Sequence, residues 1–224
     1  MPIKTDDKNQ LIPPSDFDEN LRLSVSTKVE KQHAKHPNAY TEFIQSWGAV
    51  QYRFYACTEH DEAFTESVQL HLDSPMQPHR YQQEKELFNF FMNGLSCIEC
   101  MCYGLFSIGA MIDPTQFPFG SDKERQLVTP KKTSDCYNAA FPKEKLSVRL
   151  GEMLDSRHYK DWHNMRRFLF HRIHPGRVFK VGVSTAWIMG KSIDQNTTAI
   201  PRKWLASTVK ELLTLTDSFV ATRL

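Results

Sequence analysis

From Asn38 onward the chain carries a helical beat. Tyr40, Phe43, Trp47, Val50, Phe54, Cys57, Phe64 and Val68 recur at steps of three, four or seven, which places them on one face of a helix. Pro75 and Pro78 punctuate that pattern. A second run extends from about residue 80 to 112, where Phe88, Phe91, Leu95, Ile98, Cys102, Leu105, Gly109 and Ile112 alternate steps of three and four. Two such helices joined by a short turn predict an antiparallel pair. Residues 113–141 show no period and contain three prolines, so they read as a long loop of the kind that often serves as a functional lid.

A third helix is predicted from Pro142 to about His171, with Leu146, Leu150, Met153, Leu154, Trp162, Met165 and Leu169 on its apolar side. Pro175 and Gly176 end it. Residues 177–189, RVFKVGVSTAWIM, alternate as a short strand or extended loop does. The last helix starts near Pro201 and carries Leu205, Val209, Leu212, Leu213, Phe219 and Val220. Residues 1–37 are polar and aperiodic and read as an irregular arm, in which LRLSVSTKV (21–29) alternates enough to suggest a short strand. The expected architecture is all-α: one bundle over 38–224, about four principal helices, and a long loop between the second and third.

One segment invites a membrane reading. Residues 87–112 form a 26-residue stretch whose only formal charge is Glu99, and about 20 apolar residues suffice to cross a bilayer. Glu99 falls mid-stretch, where a carboxylate costs ~2.5–3.5 kcal/mol on insertion scales. Asn89, Asn93 and Ser96 add polar groups, and no lopsided Lys/Arg flanks accompany them. A buried core helix is the expectation, with no membrane partner.

Composition agrees with an ordinary globular chain: 224 residues, 40% hydrophobic and 24% charged. The cysteines number five, and Cys97, Cys100 and Cys102 share one apolar run. That is unlike the even, spread framework of a small secreted domain. The run also lacks a second ligand pair at zinc-site spacing, so buried thiols are expected there. His171 and His174 stand three apart with no carboxylate close in sequence, and no metal or cofactor is expected. The first ten residues lack a signal-peptide pattern, which points to the cytoplasm. Absence of P-loop, G-x-G-x-x-G and G-x-S-x-G motifs argues against nucleoside-triphosphatase, dinucleotide and α/β-hydrolase chemistry.

Total charge is near balance, 28 basic against 26 acidic residues, a formal +2. Distribution changes the picture. Residues 157–180 hold seven Lys/Arg against Asp161 alone, a local +6 that leaves −4 for the rest, and four of the nine histidines lie there too. A basic patch among aromatics suits a phosphate backbone. It also suits a solvated helix face with basic residues near a helix C-terminus. Helical phase adds a detail: at about 100° per residue, Met165, Arg166 and Leu169 fall within about 60° of Trp162. Arg166 therefore sits on the apolar stripe, where an arginine needs a partner or a purpose.

Arg166-x4-His171 at a helix end, followed by His-Arg-x-x-Pro-Gly (171–176), resembles the R-x4–6-H signature of HEPN domains. VQYRFYACTEHDEAF (50–64) and LFNFFMNGLSCIEC (87–100) resemble the paired long helices of a bacterial stand-alone subgroup of that family. The resemblance covers roughly residues 38–222. It implies a HEPN-type helical bundle acting as a metal-independent endoribonuclease, a homodimer in which both copies build one cleft. A toxin–antitoxin or antiviral-defence setting follows from it, with a cognate antitoxin or regulator as a further partner.

Under that resemblance His171 is the acid/base and Arg166 the phosphate clamp. Arg167 and Glu99 support them, and Lys160, Arg172, His174 and Arg177 contact RNA or a nucleotide phosphate. Histidine titrates near the working pH, and an arginine fork can hold a phosphate and stabilise charge on its oxygens. Glu99 in an apolar helix should be paired, either orienting an arginine or His171, or forming a structural salt bridge. The chain departs from the family at Arg167, where a small polar residue often follows the arginine. Phase also sets Arg167 about 40° from His171 and Arg166 about 140° away. The different-class alternative is a non-catalytic HEPN-like module that binds RNA, nucleotide or protein.

Overall fold

The computed structural model describes the backbone of residues 5, 7, 11–71, 76–171, 176–180, 183–188, 191–192, 194 and 196–224, and side chains throughout this set except those of 170–192. Its frame is the pair α2 (Pro37–Leu70) and α3 (Gln77–Ile112), of 34 and 36 residues. At 1.5 Å per residue each is about 50 Å long. Both begin with proline in the first turn, where the missing N–H costs nothing. Phe43, Trp47, Val50, Phe54, Cys57, Phe64 and Val68 of α2 are buried, as their spacing predicts.

α3 is the central element. It packs against α2, α5 (Pro130–Ala140), α7 (Arg157–His171) and α8 (Ala199–Arg223). Its most apolar window is long enough to cross a bilayer, but 72% of that window is buried inside the fold. The helix spends its apolar surface on its neighbours. Asn93, a polar residue within it, is bonded as well: it accepts from Arg53 Nη1 at 3.0 Å and donates to the Asn89 carbonyl at 2.8 Å. Cys57, Cys97 and Cys102 are buried free thiols, and burial pushes each of them up.

The molecule is predominantly helical, as expected, with three departures in detail. First, the arm contains α1 (Glu19–Glu30) rather than a strand. Asp18 caps it by accepting from Leu21 N at 3.1 Å, and Val25 and Val29, four apart, bury one face. The apparent alternation depended on Leu23, which is exposed. Second, the stretch 113–141 holds α4 (Asp122–Gln126) and α5 rather than a loop. A Ser121–Glu124 capping box starts α4, and Thr129 accepts from Lys132 N at the head of α5. This segment is fastened to α3: Tyr137 donates to the Leu105 carbonyl at 2.9 Å, Thr133 donates to the Cys102 carbonyl at 3.1 Å, and the Phe117 ring fills the space a Cβ on Gly109 would need.

Third, the long helix predicted over 142–171 is two helices, α6 (Lys145–Asp155) and α7. Ser156 divides them with an extended backbone. Its hydroxyl donates to the Met153 carbonyl at 2.7 Å and accepts from Tyr159 N at 3.2 Å, closing one helix and capping the next. After α7, strands β1 (Gly176–Lys180), β2 (Val183–Ile188) and β3 (Lys191–Ser192) form a small antiparallel sheet in the order β1-β2-β3, with Arg177 opposite Ala186.

α1 is held to the C-terminal helix by Asp217, which accepts from Lys28 Nζ at 2.6 Å and from Ser24 Oγ at 2.7 Å. Burial pushes this carboxyl up, but the Lys28 and Ser24 donors together outweigh it and hold it below its ordinary 3.8. A depressed carboxyl contributes stability that is complete above the unfolded-state value and is lost as pH falls through the folded one. Asp217→Asn is therefore expected to cost about 1 kcal/mol in urea unfolding at neutral pH. The difference from wild type should vanish once the medium is acid enough to protonate the native carboxyl.

Candidate nucleic-acid interface

α7 carries two stripes of different character. The inward stripe is anchored by Trp162, 1% exposed, whose ring lies 5.1 Å from Phe90 and 5.3 Å from Phe91, centroid to centroid. Gly94 of α3 makes this approach possible, because a Cβ there would stand 1.7 Å from Trp162 Cζ3. One turn further along α7, Arg166 Nη1 donates to Glu99 Oε1 at 2.5 Å. Each had to find a partner, and they are each other's. The side chains remain 31% and 38% exposed, so the pair lies at the rim of the core. Ion pairs of this exposure stabilise by about 0–1 kcal/mol, and the main consequence of this one is to fix where Arg166 points.

Tyr159 completes the inward stripe. Burial pushes its phenol up to about 12, with Cys102 and Glu99 adding to the shift and Arg166 opposing it. It stays neutral and cannot act as a base near neutral pH. Cys100 is also raised by burial, with Arg53 opposing and Glu99 adding. The thiol is therefore not primed as a nucleophile.

The outward stripe comprises Lys160, His163, Asn164 and Arg167, all exposed. They lie within about 60° of one another's mean direction by helical phase. α7 continues unbroken to His171, so position 171 falls about 40° from Arg167 and about 140° from Arg166. Arg166 and position 171 therefore lie on different faces of one intact helix, as their phase in the sequence indicates, and Glu99 holds Arg166. Arg167 is the arginine on the His171 side.

The remaining expected contacts divide. Lys160 stands about 16 Å up the axis from position 171, and its ammonium donates to the Asp155 carbonyl at 2.8 Å. The side chains of His171 and Arg177, and the whole of Arg172 and His174, lie outside the described residues. Sequence reasoning missed Gly94, whose signal was a lone glycine inside a strongly apolar helix. It also missed Tyr159, which carries no motif. The chain matches no protein-family model, no curated protein and no solved structure.

Proposed function

We propose that this chain is an endoribonuclease of HEPN type that needs no metal ion and works at the C-terminal end of α7. The observation that carries the reading is the exposed basic stripe of an intact α7, which leads from Lys160 through His163 and Arg167 to position 171. Such a stripe can track a phosphate backbone. At its end stands His171, and an imidazole is the side chain that most often serves as general acid and base.

The chemistry is internal transfer. An imidazole takes the proton from a ribose 2′-OH, and the 2′-oxygen bonds to phosphorus. The bond from phosphorus to the 5′-oxygen breaks, and an imidazolium returns a proton to the departing oxygen. The product is a 2′,3′-cyclic phosphate and a free 5′-OH. Arg167 neutralises charge gathering on the phosphate oxygens, while Arg166, held by Glu99, acts as a positioning residue. A homodimer that brings two α7 ends together provides one histidine as base and the other as acid. A cytoplasmic setting in toxin–antitoxin or antiviral defence, with a cognate antitoxin or regulator, accords with that activity.

Purified protein incubated with RNA in EDTA tests the enzyme reading. Cleavage leaving 2′,3′-cyclic phosphate ends is the expected result. Retention of intact RNA, bound or unbound, overturns it. The Glu99–Arg166 pair favours one second reading, a non-catalytic RNA-binding module, because an arginine neutralised by its own carboxylate contributes little to phosphate transfer. That reading is distinguished by salt-sensitive RNA binding without cleavage.

A further inference from the structure

Between α2 and the start of α8, three enclosed side-chain atoms have no hydrogen-bond partner among the described residues: Asp61 Oδ1 on α2, and Thr198 Oγ1 and Arg202 Nη1 at the start of α8. Thr198 is 0% and Arg202 6% exposed. Polar groups so enclosed are almost always bonded, so three together require an account. The other terminal nitrogen of the guanidinium is occupied. Its Nη2 donates to Asp16 Oδ1 at 2.8 Å and to Thr58 Oγ1 at 2.6 Å, and its carbon lies 4.3 Å from the Phe54 ring centre.

Thr198 and Arg202 stand one turn apart at the start of α8, and Arg202 Nη2 bonds Thr58, one turn before Asp61 on α2, so the three atoms fall in one region. Burial raises the Asp61 carboxyl, and the Thr198 hydroxyl and the Arg202 charge both pull it back. The hydroxyl is thus close to the carboxylate, yet the two do not meet in hydrogen-bonding geometry. Thr198 also occupies the cap position of α8 without its side chain capping anything, so its hydroxyl is not used by the helix.

The donor inventory defines what fits. Arg202 Nη1 only donates, an ionised Asp61 Oδ1 only accepts, and Thr198 Oγ1 does either. A complementary group must accept from the first, donate to the second and satisfy the third. Asp16 and Asp61 would repel an anion, and Arg202 would repel a cation. A neutral molecule that both donates and accepts meets all three demands, and internal waters typically make about three such bonds. We propose that one internal water molecule is bound here and bridges α2 to the first turn of α8, in a joint that also secures Asp16 ahead of α1.

A crystal structure at a resolution that shows ordered solvent is the direct test. The expected result is a single peak within hydrogen-bonding distance of Asp61 Oδ1, Thr198 Oγ1 and Arg202 Nη1. Direct pairing of Asp61 with Arg202 Nη1, or a protein group or larger molecule in that position, overturns the assignment. Water oxygen-17 relaxation dispersion supplies a solution measurement with a near-isosteric variant. Wild type should hold one more long-lived water than Thr198→Val, and equal numbers in two folded proteins overturn the assignment as well. Should the variant fail to fold, the wild-type electron density decides alone.

Discussion

Gly94→Ala is expected to destabilise the protein by about 3 kcal/mol or more, at the upper end of overpacking costs. Elsewhere in a helix the same change stabilises, since alanine exceeds glycine by about 0.8–1 kcal/mol in propensity. The sign reverses here because the new methyl would stand 1.7 Å from Cζ3 and 1.9 Å from Cη2 of the Trp162 ring. An indole enclosed by Phe90 and Phe91 cannot swing aside as the end of a flexible chain would. Relief requires α7 to lift from α3, which also pulls Arg166 from Glu99. Chemical denaturation of four proteins checks this. Trp162→Ala alone should cost about 3–5 kcal/mol through the cavity it leaves. In that background Gly94→Ala should cost little, because the methyl enters the space the ring has left. Additive losses would mean that the two residues do not share that space.

Arg167→Ala is expected to reduce RNA cleavage by about 10²–10³-fold, the usual consequence of removing one group that stabilises developing phosphate charge. Folding should be untouched, because the side chain is exposed. Arg166 behaves differently. Glu99→Gln keeps a hydrogen-bond acceptor for Arg166 while removing the charge, so it should change the rate only modestly, about tenfold or less. Arg166→Ala should act mostly through positioning, with an intermediate loss that Arg166→Lys partly restores. Initial rates on one RNA at fixed salt check the order. If Arg166→Ala abolishes cleavage while Arg167→Ala leaves it intact, Arg166 is the phosphate ligand and must reach it from a partner subunit.

Much of the frame was legible because α2, α3 and α8 each repeat an apolar spacing over many turns. The shorter helices were hidden by what begins and ends them. α4 and α5 have no apolar run long enough to show a period, yet Ser121-x-x-Glu124 and Thr129-Pro130 are start signals that stand in the sequence. α1 was obscured by Leu23, an apolar residue on the wrong face. The division at Ser156 turns the apolar face by roughly 110° between Leu146, Leu150, Met153 and Leu154 of α6 and Trp162, Met165 and Leu169 of α7, a phase break that a single long helix passes over.

At the candidate site, chemistry was more legible than pairing. Glu99 and Arg166 each violated their apolar surroundings, which announced a need for partners, but 67 residues separate them and only the packing of α7 on α3 joins them. Whether α7 would stay intact to His171 decided which arginine shares its face, and no motif encodes that. The buried group at Asp61, Thr198 and Arg202 was illegible for the same reason, since it is assembled from α2 and α8, distant in sequence.

The most direct measurement is the rate at which one RNA acquires 2′,3′-cyclic phosphate ends in EDTA, with wild-type and His171→Ala protein of equal folded content. The account predicts cyclic ends from wild type and a loss of about 10²–10⁴-fold in the variant, the range for a missing acid/base group. Equal rates from the two proteins, or no cyclic ends from either, would contradict it.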